Sequence, residues 1–142
     1  MYNIVLTLHS VLAWLVLLFI LFGMTKSMMG IIRKNPVLPA DLKIARFATL
    51  FIHIQFLLGL TLLFVSPLAD GAFSDMGASM KDGHLRQMII EHPFTNIIAV
   101  ILVTIAGVKI KKENARYKPF FYAYMIAFFL LLSRIPYENW LN

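Results

Sequence analysis

The apolar residues of this chain fall into four long blocks, separated by three shorter stretches that are richer in polar residues. Each block approaches the length of about 20 helical residues that spans the roughly 30 Å hydrocarbon core of a bilayer. Because lipid offers the backbone no hydrogen-bond partners, a spanning segment must satisfy its own N–H and C=O groups, which predicts helices. The four predicted spans are Ile4–Met24, Phe47–Val65, Gln87–Val108 and Pro119–Ile135.

Composition indicates a membrane protein and excludes an ordinary soluble domain. Of the 142 residues, 60% are hydrophobic and 14% are charged. A soluble domain of this size has too much surface for its volume to hide so many apolar side chains. We therefore expect one integral membrane domain, residues 1–142, of the all-α class. Four spans with short connections predict an antiparallel four-helix bundle in the lipid bilayer.

The distribution of charge predicts which way this bundle faces. The net charge is +6, and ten of the thirteen Lys and Arg residues lie in or beside the first and third polar stretches. The positive-inside rule places both stretches in the cytoplasm, so the middle connection and both termini are expected on the outer, periplasmic side. Nothing arranges these cations for nucleic acid, and the oligomeric state, a homo-oligomer included, stays open. The ten residues are Lys26, Arg33, Lys34, Lys43, Arg46, Lys109, Lys111, Lys112, Arg116 and Lys118.

Three of the four histidines fall inside the predicted spans, where ionisable residues are costly and usually mark function. At a rise of about 1.5 Å per residue, His9 on the first helix and His92 on the third lie at a similar depth near the outer surface. Arg134 lies at that level on the fourth helix, and Glu91 directly precedes His92. His53 lies deeper, near the middle of the second span.

These histidines predict a haem site. Neutral imidazoles on facing helices are the axial ligands that a haem iron takes. The absence of cysteine excludes iron–sulfur clusters, thiolate metal sites and covalent haem attachment through a C-x-x-C-H motif. We therefore expect non-covalent haem b near the outer leaflet, and the matching depth favours His9 with His92 on one iron. Arg134 and Arg86 are the expected cations for the two propionates.

The same residues leave other interpretations open. His53 can be the partner of one outer histidine, the single ligand of a second haem, part of a proton path, or a structural residue bonded to Thr49 or a neighbouring helix. His92 can instead be solvated or bonded to a carbonyl, and Arg134 can pair with Glu138.

The function of the whole chain is open in the same way. One-electron transfer, with a quinone or another redox protein as partner, follows most directly from two axial histidines. A haem-dependent oxidoreductase acting on porphyrin or reactive oxygen species is the enzyme alternative. A non-redox assembly subunit, whose histidines only bridge helices, is the third interpretation. No nucleophile–base arrangement is present, so no catalytic residue is assigned.

Four segments of the chain resemble a known family. Together they are similar to a family of short bacterial four-helix membrane proteins that are labelled cytochrome b-like. The resemblance covers nearly the whole chain, includes all three spanning histidines, and implies a multi-pass b-type haem protein of the bacterial inner membrane. The segments are "LHSVLAWLVLL" (8–18), "HIQFLLGLTLLFVSP" (53–67), "MGASMKDGHLRQMIIEHPFTNIIAVILVTIAG" (76–107) and "SRIPYENW" (133–140).

Overall fold

The computed structural model describes residues 1–112 and 114–137, and every regular element within these residues is a helix. One of the long helices includes a single π-helical turn, at Gln87–Glu91. The helices are, in chain order, α1 (Tyr2–Arg33), α2 (Pro39–Val65), α3 (Pro67–Ser74), α4 (Met76–Lys81), α5 (Gly83–Lys109) and α6 (Tyr117–Ser133).

The long helices have the length and composition of membrane spans. Within the described residues, three helices are long and apolar enough to cross a bilayer, namely α1, α2 and α5. Helix α6 is a shorter apolar helix of 17 residues. The predicted all-helical class is therefore confirmed, and the length and composition of these helices agree with the predicted membrane protein.

The first helix continues well beyond the predicted span. It passes Met24 and ends at Arg33, because the polar residues that follow the apolar block still satisfy their backbone groups within the helix. Lys34 then adopts the left-handed conformation (φ 54°), and its N–H bonds back to the last turn. Pro36 follows shortly afterwards, which is typical of a chain that cannot continue the helix.

The second helix begins at Pro39, eight residues before the predicted span. Pro39 lies in its first turn, where a missing N–H costs nothing. The Asp41 carboxylate accepts the backbone N–H of Leu38 at 2.8 Å and so caps this helix. The Tyr117 hydroxyl, at the start of α6, bonds to the same carboxylate and lies 3.1 Å from the Pro36 carbonyl. These contacts tie α6 to the connection between α1 and α2.

The four longer helices surround a common core. α1 packs between α2 and α6, and α5 packs against the other sides of the same two helices. We call the end with residues 34–38, 110–112 and 114–116 the basic end, and the end that carries His9 and His92 the histidine end. The half of the bundle towards the basic end is closely packed around small, fully buried side chains. These include Ala45 and Ala48 on α2 and Ala106 on α5.

Helices α1 and α6 are in close contact where a glycine faces an aromatic ring. Tyr124 is completely buried, and its ring lies where a side chain on Gly23 would have to go. A Cβ atom on Gly23 would lie 2.6 Å from Tyr124 Cε2 and 2.8 Å from Cδ2. The absence of a side chain at this position therefore sets the spacing of the two helices.

The middle connection is itself helical. It forms α3 and α4, and Ala69 and Ala72 of α3 pack against Ile89 of α5. The Asp82 carboxylate accepts the N–H groups of His84 and Leu85 and so caps α5. The hydrogen bond from Leu85 is the main reason that the pKa of Asp82 is lowered from its ordinary value.

Candidate functional site

The histidine end encloses a cavity of about 280 Å³ between α1, α2, α3, α5 and the end of α6. This volume is close to the lower limit of about 300 Å³ that is usual for small-molecule sites. Most of the lining is apolar, and a few polar groups converge on it, which is the common composition of a ligand pocket. The polar lining residues in the membrane-depth part of the cavity are His9, Ser10, Gln55, His92 and Asn96.

His92 enters the cavity from the π-helical turn of α5. Pro93 has no N–H, and in a regular α-helix its ring would clash with the carbonyl of Ile89. The chain instead widens by one residue, so that the N–H of His92 bonds to the carbonyl of Gln87. The proline that follows His92 thus explains the π turn, and the helix continues through this position.

The protonation pattern of the His92 ring follows from its one hydrogen bond. Its Nδ1 lies 2.9 Å from the carbonyl oxygen of Arg134, and since a carbonyl can only accept, Nδ1 carries the proton. In the neutral ring Nε2 then holds a free lone pair, and it has no hydrogen-bond partner among the described residues. A histidine that donates one N–H to a backbone carbonyl and presents the other nitrogen is the usual arrangement of a metal ligand.

His9 lies opposite His92 across this space. The two ring centroids are 6.3 Å apart and the ring planes are nearly perpendicular, at 76°. The His9 Nε2 has a long contact of 3.3 Å with the Gln55 amide nitrogen, which also donates to the His9 carbonyl at 3.0 Å. Gly59 leaves room for the ring, since a Cβ there would lie 3.1 Å from His9 Cε1.

Two buried polar atoms beside the cavity have no partner among residues 1–112 and 114–137. They are Nδ1 of His9 and Oε1 of Gln55. A buried polar atom without a hydrogen bond costs about 1–3 kcal/mol of folding free energy. Such atoms usually mark a place where a bound group supplies the missing interaction.

His53 does not line the cavity. Its Nδ1 donates to the Thr49 carbonyl at 2.6 Å, and its Nε2 lies 3.3 Å from the Thr104 hydroxyl on α5. Both ring nitrogens therefore have neighbours, and the side chain connects α2 to α5. This geometry matches the structural role among the alternatives that the sequence left open for His53.

The two arginines that were expected to bind the propionates pair instead with a carboxylate of the chain, that of Glu91. Arg86 Nε lies 2.9 Å from one oxygen of Glu91, and Arg134 Nε lies 3.2 Å from the other. Neither arginine lines the cavity. The expectation that Arg134 lies inside the fourth helix is wrong, because α6 ends at Ser133. The suggested partner Glu138 lies outside the described residues.

Sequence reasoning missed Gln55, which is buried and forms the closest polar contact of the His9 ring. The sequence did contain a signal for Gln55, because a glutamine inside an apolar span is itself unusual. It also missed Gln87, whose side-chain amide donates to the Ile135 carbonyl at 3.3 Å and joins α5 to the end of α6. That contact joins residues 48 positions apart, and nothing local in the sequence announces it.

Within the part of the chain that the structure describes, no group of three or more His, Asp or Glu side chains is placed to hold a metal ion. The donor set at the cavity is a pair of imidazoles, which suits a metal that brings its remaining ligands with it. Comparison with protein-family models, with curated proteins and with solved structures finds no match. The functional interpretation therefore rests on the geometry of the cavity and its histidines.

Proposed function

We propose that this chain is a b-type cytochrome of the bacterial inner membrane, which holds non-covalent haem between His9 and His92 and passes single electrons. The observation that carries the proposal is the His92 ring, whose Nδ1–H is bonded to the Arg134 carbonyl while Nε2 is free opposite a second histidine. The electron partner we propose is a membrane quinone or another redox protein.

The donor atoms present fit this group in their chemistry. His9 and His92 would hold it, and their ring centroids lie 6.3 Å apart across the cavity. His9 has one ring nitrogen without a partner and one with only the long Gln55 contact, so it can serve as the second ligand. A porphyrin is larger than the cavity, so binding requires the helices to separate at this end.

When bound, the haem supplies the one-electron couple, and the chain does the rest. The imidazoles hold and orient the group, and the apolar lining excludes water from it. Arg86, Arg134 and Glu91 together carry a formal charge of +1. This surplus attracts an incoming carboxylate such as a propionate, although the two arginines must share it with Glu91.

The same proposal includes the topology: four spans, with both termini and the middle connection outside. The 17 residues of α6 extend about 26 Å at 1.5 Å per residue, which is close to the thickness of the hydrocarbon core. The basic end carries the excess of Lys and Arg that favours a cytoplasmic location.

Single cysteines test this topology directly, because the native chain has none. We expect Ser74→Cys and Tyr137→Cys to react with a membrane-impermeant maleimide on intact spheroplasts, and Lys112→Cys to react only after lysis. Labelling of the cysteine at position 112 before lysis would reverse the orientation. Labelling at 74 but not at 137 would remove α6 from the set of spans.

The visible spectrum of the protein, purified in mild detergent after expression with ample haem, tests the cofactor. We expect a low-spin spectrum with split α and β bands on reduction. His9→Ala should convert it to a high-spin spectrum that responds to carbon monoxide, because the iron loses one axial ligand. The matched control, His53→Ala, should keep the low-spin spectrum, because His53 lies away from the cavity.

Other outcomes of this experiment separate the remaining interpretations. A colourless wild-type protein would overturn the cytochrome proposal and favour the assembly subunit. A wild-type haem that already binds carbon monoxide would favour the haem-dependent oxidoreductase. A change to high spin in His53→Ala instead of His9→Ala would move the second ligand to α2.

A further inference from the structure

Three polar contacts join the π-helical turn of α5 to the end of α6. His92 Nδ1 donates to the Arg134 carbonyl at 2.9 Å, and the Glu91 carboxylate pairs with the Arg134 guanidinium at 3.2 Å. The Gln87 amide donates to the next carbonyl, that of Ile135. We call these three contacts the terminal clamp. The clamp joins the part of α5 that carries His92 to the Arg134 carbonyl, which accepts the hydrogen bond from His92.

We propose that Glu91 is a positioning residue for His92: by holding the Arg134 side chain, it keeps the Arg134 carbonyl where it accepts the His92 Nδ1–H. The free Nε2 of His92 is then kept facing the cavity. The tautomer of His92 follows from contacts within the chain itself. Its consequence for haem affinity rests on the proposed function.

The Arg134 carbonyl needs such a restraint because of where it lies. Arg134 follows the last residue of α6 and has non-helical backbone angles (φ −127°, ψ 16°). Its carbonyl is therefore one of the helix-terminal groups that no helical hydrogen bond fixes. Pro136 restricts the preceding residue and stops the helix from continuing. The side chain of Arg134 is held by Glu91, and the Gln87 amide holds the carbonyl of the next residue.

Glu91 is itself well placed to act as this anchor. Its second carboxylate oxygen pairs with Arg86 at 2.9 Å. Arg86 also donates to the carbonyl of Met80 at 3.0 Å, so the anchor extends to α4. The carboxylate is thus held from both sides, and it precedes His92 directly in the chain. A neutral amide at position 91 cannot form both ion pairs.

The first measurement uses haem-free protein in detergent, labelled with ¹⁵N-histidine, at about pH 8, where an ordinary imidazole is neutral. The His92 signals are assigned by their loss in His92→Ala. We expect wild-type His92 to show the Nδ1–H tautomer alone, and Glu91→Gln to show a mixture of both tautomers. Asp70→Asn, an acid-to-amide change at an exposed position on the same end of the molecule, should leave the His92 signals unchanged.

The wild-type result and the variant result each can overturn the proposal. Wild-type His92 in the Nε2–H form would contradict it, and so would an unchanged Nδ1–H form in Glu91→Gln. Because partly exposed ion pairs contribute little to folding, Glu91→Gln is expected to fold. Arg86→Gln, which removes only the far side of the anchor, should give a smaller fraction of the second tautomer and provides an independent variant.

A second measurement, the haem affinity, separates this inference from the proposed function. Loss of a partner behind a metal-ligating histidine typically lowers affinity about 10–100-fold, and we expect about tenfold for Glu91→Gln, with partial recovery in Glu91→Asp. If the wild type takes up no haem but the tautomer still changes, the positioning role stands and the cytochrome proposal fails. If haem binds equally to wild type and Glu91→Gln with no tautomer change, the positioning role fails alone.

Discussion

We expect His92→Ala to bind haem with less than about one hundredth of the wild-type affinity. This loss is larger than the loss expected when only the hydrogen-bond partner behind a ligating histidine is removed. The His92 ring is fixed by a 2.9 Å hydrogen bond to a backbone carbonyl, whereas the His9 ring has only the 3.3 Å contact with Gln55. Neither neighbour can replace it, because Glu91 is engaged by two arginines and Pro93 has no ligating atom. The ratio of haem to protein, measured by pyridine haemochrome, reports the loss.

Two controls make this result specific. His84→Ala removes a histidine of the same chain from an exposed position, and it should retain full haem occupancy. Adding free imidazole to His92→Gly should restore part of the haem, since the small ligand can enter the space that the side chain leaves. Full haem occupancy in His92→Ala would contradict the assignment of His92, whatever the other histidines do.

The second large effect that we expect is on folding and is independent of any cofactor. Gly23→Ala should lower the free energy of unfolding by about 1–3 kcal/mol, the usual cost of inserting atoms into a packed core. The new Cβ would lie 2.6 Å from Tyr124 Cε2, and this ring cannot easily move. It is fully buried, and its centroid lies 4.0 Å from that of Phe120. Thermal unfolding in detergent, followed by circular dichroism, measures the change.

The chain offers a matched control for this substitution. Gly71 lies in helix α3, and a Cβ there would meet nothing within 4 Å. Gly71→Ala should therefore be neutral or stabilising by up to about 1 kcal/mol, because alanine favours the helix. Adding Tyr124→Leu to Gly23→Ala should recover part of the stability that Gly23→Ala loses, since the two sites are in contact. Equal stability of Gly23→Ala and wild type would mean that α1 and α6 lie further apart.

Much of the fold could be predicted because its signals are local. Apolar blocks of sufficient length predict helices that satisfy their own backbone groups, and the described chain is helical throughout its regular elements. Depth counted along straight helices also led to His9 and His92 as neighbours, and the structure brings their rings within 6.3 Å. Both inferences need only a helical rise and a direction for each span.

The rest of the site depends on contacts that no local pattern encodes. The bond from His92 to the Arg134 carbonyl joins residues 42 positions apart, and it forms where α6 ends at Ser133, two residues before the predicted end at Ile135. The sequence interpretation continued that helix to Ile135 because the apolar run continues, whereas Pro136 sets the actual limit. Likewise, the neighbour of His53 on α5 follows from the packing of two helices, which a single sequence does not specify.

The unequal packing of the two halves of the bundle has a mechanical consequence. At the basic end, alanines bring the helices together around fully buried side chains, and the small gap beside Tyr117 has no room for a water molecule. At the histidine end, the same helices diverge around a cavity. Local opening costs least where few contacts must break. The histidine end is therefore expected to open at a lower cost in free energy than the alanine-lined half.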